Sequence, residues 1–451
     1  MTYSSFDHFE GRFRNAGDRA VRFLLGGEFL GPLLASPLRD RLARVAQLPY
    51  VHGPVVVHPD VSVKPFGFPA GIALHTEPGW LYPLSAPDMG CGYLVVDSGI
   101  TVDPDEMDRT AMASAYDGML RQIAVDSPDR PDASCHVRDV LVGGLDALAA
   151  PAAFTTSAAP AEEHNDWPTE LALLDPDFTD TTLQRSLGSA AGHFVACYVV
   201  QQPLRPSTPS TGRIIVVVHV GAAPIRDHLN RRGLFLDLAQ DAVHSGISLE
   251  HDAADGLFAV DLDSTRGRAL LGTAMAARNF GYANRQIVAD RVIQALTAAL
   301  PTAVVAPAVQ LRHVDHTAFE QVDDAIRARR GLQPLHAARP VFITGGEHTH
   351  AYLCHSGDDT AVSDGVCCHG APVRETPAVP PSVWDRPDLD VSPGALRGWV
   401  DTMTANTRFD ESRFWADLGN IEGVIGQLAS LGIARPAARL RQLMNYRELG
   451  L

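Results

Sequence analysis

An apolar strand pattern with a histidine at one end recurs in the second half of the chain and limits its fold more than any other feature. The run RIIVVVHVG places His219 directly after five apolar residues, and HFVACYVV begins with His193. Because a strand end at the edge of a sheet fixes the direction of a side chain, such histidines suit rigid ligand platforms. The alternative at each position is a structural histidine whose ring nitrogens are hydrogen-bonded within the protein.

Other segments predict shorter strands and several helices. Strands are expected at 54–58, 72–75 and 94–100, and a helix over 105–125. Residues 273–300 form a long helical pattern with one apolar face, which is predicted to be core. That face consists of Ile287, Val288, Val292, Ile293 and Leu296. Helical patterns also resume after residue 393 and continue to the C-terminus.

Composition excludes several classes of protein. The chain of 451 residues has a formal net charge of -16, which argues against a protein that binds nucleic acid with its whole surface. It has no run of eighteen apolar residues and no apolar N-terminal segment, so neither a membrane span nor a secretory signal is expected. Six cysteines without a framework spacing fit reduced thiols, and a cytoplasmic location is predicted.

The hexapeptide PDMGCG at residues 87–92 has the composition of a metal-binding turn. It places the carboxylate of Asp88 and the thiol of Cys91 three residues apart, and both donors suit Mn²⁺, Zn²⁺ or Co²⁺. Gly90 and Gly92 allow positive φ, so that both side chains can face one point. The alternative is a glycine turn with a buried cysteine.

Eight short motifs in order resemble the RtcB family of RNA ligases, from about residue 50 to the C-terminus. They read PDV, PDMGCG, LGSAAGHF, VVHVG, YANRQ, DHTAFE, RRGL and CCHGA. The resemblance implies one α+β domain over residues 1–451, with mixed or antiparallel sheets flanked by helices. Within it the sequence marks a variable N-terminal extension at about 1–50, a low-complexity surface loop at about 149–168 and a proline-rich segment at about 372–393.

The resemblance also implies an activity with its cofactors and partners. Members of the family join RNA ends that carry a 2′,3′-cyclic phosphate or a 3′-phosphate to a 5′-hydroxyl, using GTP and two divalent ions, usually Mn²⁺. His369 is implied as the nucleophile that forms a histidine-guanylate intermediate. The implied metal ligands are Asp88, Cys91, His193, His219 and His316. One or two ions are expected, with Zn²⁺ or Co²⁺ and another nucleoside triphosphate as alternatives, and no accessory activator is assigned.

Seven further positions are expected to bind the nucleotide or its phosphates. They are Asp60, Lys64, Arg330, Gly345, Thr349, Arg374 and Arg447. Lys64 is the only lysine among the 37 basic residues, and a surface position without function is its alternative.

Departures from the family pattern fall mainly in the nucleotide pocket. Gly192 and Ala196 replace the asparagine and glutamate of the family's NHxxE motif. Since a carboxylate is the natural acceptor for the N1 and N2 protons of guanine, Ala196 is expected to weaken selectivity for that base. Glu347, His348 and His350 lie in an altered loop, either as further ligands or as occupants of vacated space.

Three functions are compatible with the sequence. The favoured one is a metal-dependent, nucleotide-activated RNA ligase, because a histidine at the nucleophile position, His369, has little reason to remain once nucleotidyl transfer is lost. The second is a metal-dependent phosphoesterase or another phosphoryl-processing enzyme on the same fold. The third is a non-catalytic binding protein in which the metal is structural.

Overall fold

One long helix contributes to the cores of two large β-sheets. The computed structural model describes residues 11–14, 20–25, 30–31, 33, 38–62, 68–83, 89–103, 109–148, 154–155, 166–190, 194–206, 208–301, 303–345, 350–371 and 421–447. The long helix is Thr265–Ala299, and the hydroxyl of Ser264 caps it by accepting a hydrogen bond from the amide of Gly267.

Eight helices, numbered in chain order, lie in the described part of the chain. They are α1 Leu38–Val45, α2 Arg109–Ile123, α3 Val137–Gly143, α4 Ala223–Arg231, α5 Leu234–His244, α6 Glu250–Ala254, α7 Thr265–Ala299 and α8 Ile421–Ser430. Shorter helical turns span Gly144–Ala147, Pro176–Phe178, Thr179–Leu183, Gln184–Ser186 and Thr360–Ser363.

Nineteen strands are found among the same residues. The first ten are β1 Gly11–Arg14, β2 Ala20–Phe23, β3 Val51–Ser62, β4 Ala70–Thr76, β5 Trp80–Leu81, β6 Gly92–Thr101, β7 Phe154–Thr155, β8 Phe194–Pro203, β9 Arg213–Val220 and β10 Val260–Asp261. The others are β11 Val304–Val305, β12 Ala308–Asp315, β13 Thr317–Val322, β14 Ala325–Arg330, β15 Leu332–Pro334, β16 Val341–Thr344, β17 His350–Ser356, β18 Val366–Cys368 and β19 Ala434–Arg447.

These strands form two large sheets and two small ones. The six-stranded sheet has the order β1-β2-β3-β4-β14-β13, and the nine-stranded sheet has the order β16-β17-β19-β8-β9-β6-β12-β7, with β11 also paired to β6. The pairs β5-β10 and β15-β18 complete the set. Most neighbours are antiparallel, while β2-β3 and β7-β12 are parallel, so the large sheets are mixed. The α+β class with mixed sheets and flanking helices is confirmed.

The nine-stranded sheet is strongly curled. Tyr93 on β6 and Phe342 on β16 have ring centroids only 5.3 Å apart. Five steps between neighbouring strands separate β6 from β16, a distance of about 24 Å in a flat sheet. The sheet therefore encloses a concave face, and Tyr198 on β8 meets Phe342 there at 5.3 Å.

The two halves of α7 serve different cores. Leu270, Met275 and Phe280 pack in the cluster that contains the apolar side chains of the six-stranded sheet. Val288 and Val292, farther along, pack against the convex side of the nine-stranded sheet. The helix is buried almost all round rather than on one face, and Ile287 from the expected apolar face is only partly buried.

Most predicted elements are confirmed, and one is wrong. The strands expected at 54–58, 72–75 and 94–100 lie within β3, β4 and β6, and the helix expected over 105–125 is α2, Arg109–Ile123. The helical pattern expected up to the C-terminus is wrong over 434–447, which forms β19 between β17 and β8. Pairing on both sides outweighs the helix propensity of its Ala, Leu and Arg residues.

Some expectations lie outside the part of the chain that is described. The proline-rich segment at 372–393 and most of the loop at 149–168 fall there, and the one-domain organisation stays a prediction. Across the described ranges, no helix combines the length and apolar character needed to cross a membrane.

Candidate active site

Three of the predicted metal ligands meet at a buried point. The Sγ atom of Cys91 lies 3.2 Å from Nε2 of His219 and 3.3 Å from Nε2 of His316. The two Nε2 atoms are 2.7 Å apart. Within the described residues, this is the one group of three or more Cys, His, Asp or Glu side chains arranged so that they can hold a metal ion.

Each donor sits at the end of a strand. Cys91 directly precedes β6, His219 is the last residue but one of β9, and His316 lies between β12 and β13. The backbone amide of His316 donates to the carbonyl of Cys91 over 3.0 Å, which ties two of these ends together. The prediction that strand ends present histidines is confirmed for His219.

Glycines allow the backbone of the metal turn to pack tightly. Gly90 has φ of +67°, and a Cβ there would meet the carbonyl oxygen of Ala277 on α7 at 2.3 Å. Gly92 does not use the positive φ that a glycine allows. Glycine is needed at Gly92 for a different reason, since a Cβ would meet the carbonyl oxygen of Val314 at 2.2 Å.

Arg285, within the YANRQ motif, holds two of these strand ends in place. Its Nη1 donates to the carbonyl of Gly90 over 2.7 Å and to the carbonyl of Val220 over 2.9 Å. These carbonyls directly neighbour Cys91 and His219 in the chain. The guanidinium is fully buried and also stacks over the ring of Tyr282 at 4.5 Å. The motif signalled its importance in the sequence, but only the structure reveals this role.

A network of buried charges supports the third ligand. Asp315, which precedes His316, pairs with Arg278 over 2.7 Å and with Arg329 over 2.8 Å. Arg329 also pairs with Glu320 over 2.7 Å. Burial opposes ionisation of Glu320, but Arg329 and its neighbour Arg327 hold the pKa of that carboxyl well below its usual range. The paired charges stabilise the end of β12.

Hydrogen bonds through the hydroxyl of Thr317 also fix the ring of His316. Nδ1 of His316 lies 3.1 Å from the hydroxyl of Thr317, which accepts a hydrogen bond from the amide of Gly331 over 3.2 Å. A partner at Nδ1 orients the ring and leaves Nε2 directed towards Cys91 and His219.

The predicted nucleophile His369 lies beside this cluster. Its ring stacks on that of His316 with centroids 4.6 Å apart and an angle of 25° between planes. Nδ1 of His369 is 2.6 Å from Oδ2 of Asp60, and the same oxygen accepts from the backbone amide of His369 over 3.1 Å. Asp60 therefore contacts His369 in this structure, and its expected contact with the nucleotide stays a prediction.

The ring of Tyr93 packs near the rings of His219, His316 and His369, and the sequence did not single this residue out. Its ring centroid is 4.6 Å from that of His219, 5.4 Å from that of His316 and 6.2 Å from that of His369. Its hydroxyl donates to the backbone carbonyl of His369 over 3.3 Å. The only signal in the sequence was its position directly after the PDMGCG turn.

Three of the other residues expected to bind the nucleotide lie in the described part of the chain, and their role stays a prediction. Arg330 is 3% exposed and donates to the carbonyl of Phe68. Gly345 follows β16, and its amide donates to the carbonyl of His350 over 3.1 Å. Arg447 ends β19 opposite Phe194. Several predicted residues fall outside the described ranges, namely Asp88, His193, Lys64, Thr349, Arg374, Glu347 and His348.

Two other histidines marked by the sequence do not join the cluster. His313 is 1% exposed on β12, where burial and the charge of Arg285 hold its pKa well below the usual range. His350 faces Glu422 on α8, with Nδ1 3.4 Å from Oε1.

Residues 41–448 match the family described as tRNA-splicing ligase RtcB, which covers nearly the whole chain. A search of curated proteins finds no significant match.

Proposed function

The chain belongs to the RtcB family of tRNA-splicing ligases, and we propose that it is a metal-dependent RNA ligase that works through a covalent histidine-nucleotide intermediate. One observation carries the proposal: His369 stacks on His316, a member of the buried Cys91–His219–His316 cluster, while Asp60 holds the opposite ring nitrogen. A nucleophile next to a metal site is the arrangement that nucleotidyl transfer requires.

The hydrogen bond to Asp60 prepares His369 for attack. Because a carboxylate can only accept, its 2.6 Å contact with Nδ1 keeps the proton on that nitrogen. The neutral ring then has its lone pair at Nε2, which becomes the nucleophile. The second hydrogen bond, from the backbone amide of His369 to the same oxygen, fixes the ring relative to β3.

The donor set of the cluster fits a divalent ion. A thiol and two imidazole nitrogens within 3.3 Å of one another suit Mn²⁺, Zn²⁺ or Co²⁺, and we take Mn²⁺ as the first candidate. Cys91, His219 and His316 would hold the ion, and Asp88 and His193 stay predicted ligands. When bound, the ion supplies positive charge that offsets the growing charge on phosphoryl oxygens.

The reaction then proceeds in three transfers. Nε2 of His369 attacks the α-phosphorus of a nucleoside triphosphate, GTP in the family, and pyrophosphate leaves with the electrons of the broken P–O bond. A 3′-phosphate of the RNA next attacks the same phosphorus, which frees His369 and leaves the nucleotide on the RNA end. Finally a 5′-hydroxyl attacks the RNA phosphate, loses its proton and releases the nucleoside monophosphate.

The first experiment tests the covalent intermediate. With Mn²⁺ and α-labelled GTP or ATP, the full chain should acquire a nucleotide that acid removes, as expected of a phosphoramidate. His369→Ala should abolish the label because no other group replaces Nε2. His244→Ala, at the exposed C-terminal end of α5, is the matched control and should label like the wild type.

The remaining outcomes decide between the three functions. Absence of an adduct with every nucleotide contradicts the ligase. If phosphoesterase turnover is then found and is lost in Cys91→Ala, the second function replaces it. If metal is bound without either activity, the protein is a binding protein with a structural ion. Joining of an RNA 3′-phosphate end to a 5′-hydroxyl end, lost in His369→Ala, completes the support for ligation.

A further inference from the structure

A buried amide on the concave face of the nine-stranded sheet lacks a partner for its oxygen. Asn445 on β19 is 5% exposed, and its Oδ1 is enclosed without any hydrogen bond from the described residues. Its backbone carbonyl, in contrast, accepts from the hydroxyl of Tyr116 on the opposite side of the sheet. An enclosed acceptor without a donor is unfavourable in a finished core, so it points to a missing ligand group.

The register of the sheet places this amide close to the active site. Arg447, Phe194 and His219 are direct neighbours across β19, β8 and β9. Asn445 lies in the adjacent row, opposite Ala196, which in turn pairs with Val217. Two strand spacings and two residues of rise separate Asn445 from His219, a distance of about 12 Å.

The residue opposite Asn445 cannot donate a hydrogen bond to its amide oxygen. Ala196 is fully buried in the cluster that lines the concave face, together with Tyr93 and Phe342. A methyl group cannot donate, and its small size leaves room beside the amide. The same cluster reaches His369 through Tyr93, whose ring centroid is 6.2 Å from that of the histidine.

We infer that Asn445 contacts the base of the activating nucleotide and that this chain accepts ATP at least as readily as GTP. The inference rests on the proposed function, since it assumes that a nucleotide binds with its α-phosphate at His369. A carboxamide offers one acceptor and one donor side by side, which matches the amino group and the adjacent ring nitrogen of adenine. The N1 and N2 protons of guanine form a pair of donors, which a carboxylate matches with its two oxygens whereas a carboxamide has only one.

The test changes the amide into a carboxylate of the same shape. Competition between labelled ATP and GTP for adduct formation gives the ratio of the two donors for the wild type and for Asn445→Asp. We expect a wild-type ratio of one or above in favour of ATP, and a shift of about tenfold or more towards GTP in the variant. Gln202→Glu, at the exposed end of β8, makes the same chemical change away from the site and should keep the wild-type ratio.

Equilibrium binding of ATP and GTP to His369→Ala measures base recognition without the covalent step. A wild-type preference for GTP, or an unchanged ratio in Asn445→Asp, overturns the inference even if the ligase proposal stands. A further outcome is that the wild type forms no adduct while the affinities of His369→Ala for ATP and GTP still change relative to each other when Asn445→Asp is added. That result supports the inference, and the ligase proposal fails. If neither nucleotide binds, both are overturned. Circular dichroism and thermal unfolding of Asn445→Asp show whether the variant is folded.

Discussion

At the scale of single residues, the ring of His369 is oriented by one carboxylate. Asp60→Asn keeps the size of that side chain but allows its amide to donate to Nδ1, which would move the proton to Nε2 and remove the lone pair needed for attack. We expect adduct formation to slow about a hundredfold or more, with a smaller change in nucleotide affinity. Single-turnover labelling and equilibrium binding separate the two quantities.

Asp364→Asn is the matched control for this substitution. The carboxylate of Asp364 lies 2.7 Å from Nε2 of His75. The backbone of Asp364 has a φ of +58°, a conformation that asparagine adopts readily. Labelling should therefore continue at nearly the wild-type rate. A loss of nucleotide affinity equal to the loss of rate in Asp60→Asn would instead show that Asp60 contacts the nucleotide.

Single residues also show which parts of the site the sequence could predict. Cys91 and His219 stood out because their chemistry and their positions at a glycine turn and a strand end are visible along the chain, and His316 was expected from the family resemblance. Tyr93 and the contact between Asp60 and His369 were not, since both depend on side chains 276 to 309 positions apart meeting in the fold. Sequence reasoning recognises the type of a ligand more readily than its neighbours.

At the scale of secondary-structure elements, α7 acts as a support for the metal turn through Arg285. Arg285→Lys retains the charge, but its ammonium ends one atom short of Nη1, the nitrogen that reaches the carbonyls of both Gly90 and Val220. We expect affinity for Mn²⁺ to fall about tenfold to a hundredfold, as for other groups that orient metal ligands. Calorimetric titration with the metal measures this change.

A second arginine on the same helix provides the control. Arg291 is also buried, and its guanidinium donates to the carbonyls of Gly188 and Pro131 over 2.6 Å each, away from the cluster. Arg291→Lys should lower the thermal unfolding temperature but keep the wild-type affinity for the metal. Equal losses of metal affinity in both variants would mean that Arg285 acts only through general stability.

The elements that the sequence predicted poorly are those whose partners lie far away in the chain. The segment ARPAARLRQLMNYR is rich in residues that favour helices, yet it forms the strand β19. Its neighbours β17 and β8 come from 78 or more positions earlier, so nothing local in the sequence announces them. Strands whose own residues form an uninterrupted apolar run, such as β9, carried a clear local signal and were predicted correctly.

At the scale of the whole molecule, stability should depend on pH through a buried histidine in the six-stranded sheet. His58 on β3 is fully buried, and burial lowers its pKa to about 4 despite the nearby carboxylates of Asp60 and Asp364. In the unfolded chain its pKa returns to about 6.5. Between these values the unfolded chain binds a proton that the folded protein does not, so the free energy of unfolding falls as the pH is lowered from about 6.5 to about 4.

Replacing this histidine should therefore reduce the acid sensitivity of the fold. His58→Leu removes a loss that reaches about 1.4 kcal/mol per pH unit for one proton, and urea unfolding between pH 4 and pH 7 measures the slope. The control is His251→Leu, because the side chain of His251 is 69% exposed. This variant measures how the loss of an exposed histidine changes the slope. His251→Leu should keep the wild-type slope. If His58→Leu keeps it as well, the acid sensitivity does not arise from the buried ring of His58.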